Sequence, residues 1–222
     1  MTAANFPGRP SAILFDWDNT LVDSWATIHE ALNHCMAAMG KPLWSLADTR
    51  EKVRLSLREA FPYHFGERWE EARTIYLNRF EAIHLDRLRP LPGRTELVEA
   101  LAAEGIYLGI VSNKTGEFLR REVDRLGWSG YFGSIVGAGD ASVDKPAPAP
   151  VALALAPGGI SPGETVWFVG DTAVDMECAL NSGCIPVLLG DAAADPEFLR
   201  HAPRFTFAEP GDLFRHVQGL AI

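Results

Sequence analysis

The stretch that decides the fold is Ser11–Ser24, SAILFDWDNTLVDS. Its apolar run, Ala12-Ile13-Leu14-Phe15, stops at two acids, Asp16 and Asp18, with one residue between them. A continuous apolar run of this length suits a strand buried on both faces, as in a parallel sheet. Alternate residues of an extended segment point the same way, so both carboxylates can face one point just past the strand. Two neighbouring carboxylates repel unless one is protonated or a cation lies between them. Asn19 is a turn residue and Thr20 adds a hydroxyl. An ordinary Asx-rich turn after a strand uses the same residues, so the rest of the chain must decide.

Moving outward, the texture changes after Ser24. Residues 24–86 are rich in Ala, Leu, Glu and Arg and poor in strand signals. Asp23 or Ser24 can cap a first helix that Gly40 ends; a second is expected over Leu46–Ala60, ended by Pro62; a third follows Gly66. Helices without intervening strands read as an insertion packed on itself. At Pro90-Leu91-Pro92-Gly93 the pattern turns to alternating helix and strand. Strands are expected at Ile106–Val111, Ser134–Val136, Thr165–Val169, Ile185–Leu189 and, weakly, Arg204–Phe207. Helices are expected at Thr95–Ala103, Gly116–Leu126, Pro148–Ala156, Ala173–Asn181 and Gly211–Val217. Such alternation predicts an α/β fold, a Rossmann-like parallel sheet with helices on both faces. The expected organisation is a core of residues 1–22 and 88–222 and a helical insertion of residues 23–87.

The 222 residues suffice for one such core with an insertion. A net charge of −9 argues against nucleic acid or an anionic membrane surface as partner. It leaves open phosphate-bearing small molecules, which a few local cations and backbone amides can hold. Cys35, Cys178 and Cys184 are scattered with no CxxC pair, so neither a zinc site nor a disulfide framework is suggested. The N-terminus lacks the basic-then-apolar pattern of a signal peptide, and no apolar run could span a bilayer, so a cytoplasmic location is expected. His29 and His34 are five apart, the wrong spacing for a metal pair on one helical face.

Ligands of open parallel sheets bind beyond the carboxyl ends of the strands. Those ends carry Asp16 and Asp18; then Ser112-Asn113-Lys114; then, through a loop, Lys145; then Gly170-Asp171, with Asp175 four residues on. Asp171 and Asp175 share a face at a helix start, where acids also occur simply because they favour the dipole. Four acids converging on one edge cannot all stay ionised without compensation. Mg²⁺ suits such a set, because it prefers oxygen ligands and keeps waters that a substrate phosphate can replace. Lys145 supplies a further positive charge, although solvated surface is the usual place of a lysine.

With these residues in order, the chain resembles haloacid dehalogenase superfamily hydrolases with a helical cap, of the phosphoglycolate phosphatase and β-phosphoglucomutase kind. The resemblance rests on four motifs: Asp16-Trp17-Asp18-Asn19-Thr20, Ser112-Asn113, Lys145-Pro146 and Gly170-Asp171-Thr172-Ala173-Val174-Asp175. It implies a phosphatase acting on a small phosphomonoester. Asp16 would be the nucleophile that becomes an aspartyl phosphate, and Asp18 the acid and base. Asp16, the Asp18 carbonyl and Asp171 would hold Mg²⁺, and Ser112, Asn113 and Lys145 would bind the phosphoryl group. Thr20 would steady the loop, bond to Asp18 and contribute to phosphate binding; Asp175 would orient Lys145 or a metal-bound water. Asn19 replaces the family's more usual glycine, but asparagine tolerates a left-handed backbone. In the cap, Arg54, Arg58 and His64 are candidates for a second anionic group of the substrate, although arginines on a polar helix face are ordinary surface. A phosphomutase would share every one of these residues. A haloacid dehalogenase proper would need neither Asp18 as an acid nor a metal. A receiver-type signalling module would place its aspartate after an earlier acidic pair and carry no insertion.

Overall fold

The computed structural model describes residues 8–53, 55–190 and 196–220. Ala12–Phe15 forms strand β1, and every one of its residues is buried. Ile13 and Phe15 point into one apolar cluster and Ala12 and Leu14 into the other, as a strand covered on both faces requires. The remaining strands are β2 (Tyr107–Thr115), β3 (Ser134–Ala138), β4 (Val166–Gly170), β5 (Ile185–Leu189) and β6 (Phe205–Phe207). They form one sheet in the order β3-β2-β1-β4-β5-β6, with every adjacent pair parallel. Chain order reverses about β1, which creates the switch point where doubly wound sheets bind ligands. Phe15 is level with Ile110 on β2 and with Val169 on β4, so the polar ends of the three strands come to one edge.

Helices α5 (Arg94–Ala103), α6 (Gly116–Arg125) and α9 (Pro210–Gly219) cover one face of the sheet. Helices α7 (Ala149–Leu155) and α8 (Ala173–Asn181) cover the other. The fold is therefore the expected three-layer α/β architecture.

Between β1 and α5 lie α1 (Trp25–Ala38), α2 (Leu46–Lys52), α3 (Leu57–Phe65) and α4 (Trp69–Arg87). Their apolar faces share a cluster of their own, including Ile28, Leu32, Met36, Phe61, Phe65, Tyr76 and Phe80. Phe118 of α6 joins that cluster, with its ring 5.5 Å from Phe80. The chain leaves and re-enters the sheet layer along paired segments: Asp23 N–H donates to Arg89 O (3.0 Å) and Leu91 N–H to Leu21 O (3.0 Å).

Three local expectations change. The single helix expected over Leu46–Ala60 is two, because the backbone is extended at both Val53 and Ser56. Ser56-Leu57-Arg58-Glu59 is an S-x-x-E helix start, and Ser56 Oγ donates to Glu59 (3.1 Å). Pro62 does not end α3 but lies inside it, and Gly66, at φ 57°, ends it. Proline there forfeits one backbone bond, while Phe61 and Phe65 on either side are buried and hold the turn in place. Strand β2 runs on to Thr115, so Ser112-Asn113-Lys114 lies on the strand itself.

Candidate active site

Backbone geometry at the end of β1 sets up the site. Asn19 adopts φ 65°, the left-handed turn its side chain tolerates, and its Oδ1 accepts from Ser24 N–H (3.2 Å). Asp16 and Asp18 line a cavity of about 120 Å³ together with Ser112, Asn113, Lys114 and Lys145. The far wall, toward the helical insertion, is apolar, with Trp25, Ile28, Tyr76, Phe80 and Phe118 among its residues.

Lys145 is buried, and its Nζ donates to Asp16 Oδ1 (2.6 Å) and Asp175 Oδ1 (2.7 Å). Asp175 also ties down the start of α8, where its Oδ2 accepts from Thr172 N–H (3.0 Å) and Oγ1 (2.7 Å). This packing demands glycine before Asp171: a Cβ on Gly170 would sit 2.3 Å from the Asp175 Cβ. Burial pushes the Asp16 carboxyl up to about 7; the Lys145 charge opposes this and the Asp175 charge adds to it. Asp171 is raised well above the usual carboxylate range by removal from solvent, then by the charges of Asp175 and Asp16. Burial alone would lower Lys145, but the charges of Asp16 and Asp175 outweigh it and raise the ammonium above its ordinary value.

Oxygen atoms of Asp16, Asp171 and Asp175 lie within 4.8 Å of one another. Three hard carboxylate oxygens, two of them on groups whose ionisation is opposed by their neighbours, fit a divalent cation. Both Asp175 oxygens already accept from Lys145 and Thr172, so Asp16 and Asp171 are the freer donors.

Several expected residues take other places. Thr20 is fully buried and does not line the cavity, and its hydroxyl donates to Asp171 Oδ1 (2.7 Å) rather than to Asp18. Its carbonyl accepts from Arg94 Nε (2.8 Å), a buried arginine not singled out in the sequence. Asn113 lines the cavity but spends its Nδ2 on the Lys145 carbonyl (3.1 Å), and among the described residues its buried Oδ1 has no donor. Arg58 turns to Asp144 Oδ2 (2.5 Å), the residue before Lys145, and so bridges α3 to the sheet layer instead of facing the cavity. His64 packs edge-on against Trp44 (5.1 Å) and does not line the cavity. Arg54 lies outside the described residues.

The sequence reading missed a second buried lysine. Lys114 Nζ lies 2.6 Å from Asp18 Oδ1 and 2.6 Å from Glu122 Oε2. The Asp18 contact is an ion pair, and among the described residues that oxygen has no aligned hydrogen-bond donor. Glu122, almost fully buried on α6, also accepts from Trp17 Nε1 (2.6 Å), and its Oε1 meets His84 Nδ1 of α4 (2.7 Å). Burial alone would raise the Glu122 carboxyl, but the Lys114 charge and the donors around it hold it below its ordinary value. Two signals pointed here. Residues 112 and 114 share a face of an extended strand, and Phe118 and Glu122 share a face of α6.

The family model for haloacid dehalogenase-like hydrolases matches residues 13–188. A phosphoglycolate phosphatase from Aquifex aeolicus (strain VF5) is 30% identical over 209 residues, spanning 91% of this chain and 94% of its own. An N-acetylmuramic acid 6-phosphate phosphatase from Pseudomonas aeruginosa is 30% identical over 180 residues, 79% of each chain. The solved structure of a haloacid dehalogenase-like family hydrolase from Streptococcus pneumoniae superposes with a TM-score of 0.79, covering 92% of this chain and 97% of that one, at 24% identity. The match spans all four motifs and the insertion between them, and the chain belongs to the haloacid dehalogenase-like hydrolase family.

Proposed function

We propose that this protein is a Mg²⁺-dependent phosphatase that hydrolyses a small-molecule phosphomonoester through an aspartyl phosphate on Asp16. The observation that carries the reading is the placement of Asp16 at the cavity, held by Lys145 and flanked by Asp171, with Asp18 beside it. A buried carboxylate beside a fixed ammonium is oriented for attack, and the ammonium offsets charge on the transferring group. Asp16, the Asp18 carbonyl and Asp171 would hold Mg²⁺, which neutralises the acids and the phosphoryl oxygens when bound. Ser112 and Lys145 bind the phosphoryl oxygens. Asp18 gives a proton to the leaving alcohol and later takes one from the attacking water.

Residues 23–87 act as a cap over the core of residues 1–22 and 88–222. Their aromatic wall excludes bulk water from the phosphoenzyme. The names of the relatives support phosphoglycolate as the first substrate to try and N-acetylmuramic acid 6-phosphate as the second. A phosphate-release screen over metabolite esters, with and without Mg²⁺, tests the proposal. Mg²⁺-dependent release that disappears in Asp16→Asn is expected. Turnover that persists in that variant, or halide release without metal, overturns it.

A further inference from the structure

We propose that Lys114 is a positioning residue that aims the Asp18 carboxylate into the cavity, with Glu122 as its anchor. The inference rests on the phosphatase reading only for the task it gives Asp18. Lys114 sits two residues past Ser112 on β2, with its ammonium between Asp18 and Glu122 and over the ring of Phe80, 5.1 Å from its centre. Glu122 cannot follow a moving lysine. Its Oε2 takes the Trp17 indole N–H as well as Lys114, and its Oε1 is held by His84. Trp17 lies between Asp16 and Asp18 in the chain, so the anchor grips both the loop and, through Lys114, the side chain of Asp18.

The arrangement is a costly way to achieve stability alone. Buried ion pairs often lose nothing when replaced by apolar residues of the same shape. Its geometric effect, however, is specific. Among the described residues Asp18 Oδ1 has no aligned hydrogen-bond donor, and it is held at the cavity by the ammonium's charge. Among the described residues none donates a hydrogen bond to the other oxygen of Asp18, the one this proposal turns toward a leaving-group oxygen. A misplacement of about 1 Å in such a group can cost on the order of a hundredfold in rate.

The test is the variant Lys114→Met/Glu122→Gln, which removes both charges together so that neither is left buried alone. On an alkyl phosphate its kcat is expected to fall about a hundredfold with KM little changed. The burst of nitrophenolate from p-nitrophenyl phosphate, whose leaving group needs little protonation, should be nearly unaffected. In an Asp18→Asn background the same pair should cost nothing further, because a residue acting only through Asp18 has nothing left to position. Additive losses, equal losses on the two esters, or a raised KM at unchanged kcat would each overturn the assignment. A crystal structure of the variant gives a reading independent of turnover. The Asp18 carboxylate should shift by more than about 0.5 Å, the tolerance of a productive site, and an unmoved carboxylate overturns the proposal. A wild-type protein inactive on every ester would defeat the phosphatase reading, and the crystal structure would still decide the tether.

Discussion

The two acids after β1 are served by two buried lysines, and the two arrangements differ. Lys145 joins Asp16 to Asp175, and Asp175 caps α8. Lys114 joins Asp18 to Glu122, which lies on α6 and is gripped by Trp17 and by His84 of the insertion. The first arrangement joins the end of β1, the loop before α7 and the start of α8, all outside the helical insertion. The second reaches into the helical insertion. The acid assigned to attack phosphorus is thus held by side chains outside the insertion, whereas the acid assigned to proton transfer depends on α4 remaining packed against α6.

Substitutions can break this contrast, and the largest effect is expected at Asp16. Asp16→Asn keeps the shape but removes the nucleophile, so phosphate release should fall to background on every ester. Retained turnover would move the nucleophile elsewhere. Lys145→Met comes next, at roughly a hundred- to a thousandfold in kcat, the scale of losing a donor aimed at developing charge. Unlike the loss from disturbing Lys114, this one should be the same for alkyl and nitrophenyl esters. A loss confined to alkyl esters would mean that the two lysines share a task.

Stability gives a finer probe. Gly170→Ala forces a Cβ against Asp175 and should destabilise by about 1–3 kcal/mol, as overpacking does, and lower activity with it. Trp17→Phe removes a donor from the buried Glu122 and should cost about 1.5–3 kcal/mol by denaturant unfolding. Equal midpoints for Trp17→Phe and wild type would show the anchor to be slack.

The smallest expected effect is on pH and metal. Asp16, raised from 3.8 to about 7, and Asp171, raised in the same direction, bind protons in the folded state that the unfolded chain releases. The slope of stability with pH is therefore negative for these two groups between about 4 and 7 when metal is absent. Mg²⁺ competes with those protons, so the rise in Tm on adding it should be greater at about pH 7 than at about pH 5. An identical rise at both would place the ion elsewhere.

How much of this was legible in the sequence divides along the same line. The sheet, its switch point and the polar residues at its strand ends are legible because each follows a buried strand or a turn, where a polar group stands out, whereas the roles that link Lys145 to Asp16 and Asp175 come from the family resemblance. Lys114 lies on β2, but the sequence ends that strand at Val111, which hides the parity of Ser112 and Lys114. Glu122 lies within α6 and His84 in the last turn of α4, where glutamate and histidine read as solvent-facing until the opposing helix is known. The break at Val53–Ser56 was missed because helix-forming residues on both sides outweighed a serine start signal. Arg58 stays a candidate for a substrate anion beside ordinary helix surface, because no sequence rule pairs it with Asp144, 86 residues away.

The central claim is most directly tested by trapping the covalent intermediate in Asp18→Asn. That variant keeps the nucleophile, Lys145 and the backbone carbonyl of residue 18. It loses the base that activates water, a group worth roughly a hundred- to ten-thousandfold in rate. Mixed with p-nitrophenyl phosphate and Mg²⁺, it should release a burst of nitrophenolate equal to the enzyme present, then turn over slowly, with the phosphoryl group recovered on the peptide containing Asp16. No burst in a folded, Mg²⁺-binding variant, or a phosphoryl group recovered on any other peptide, would contradict the account.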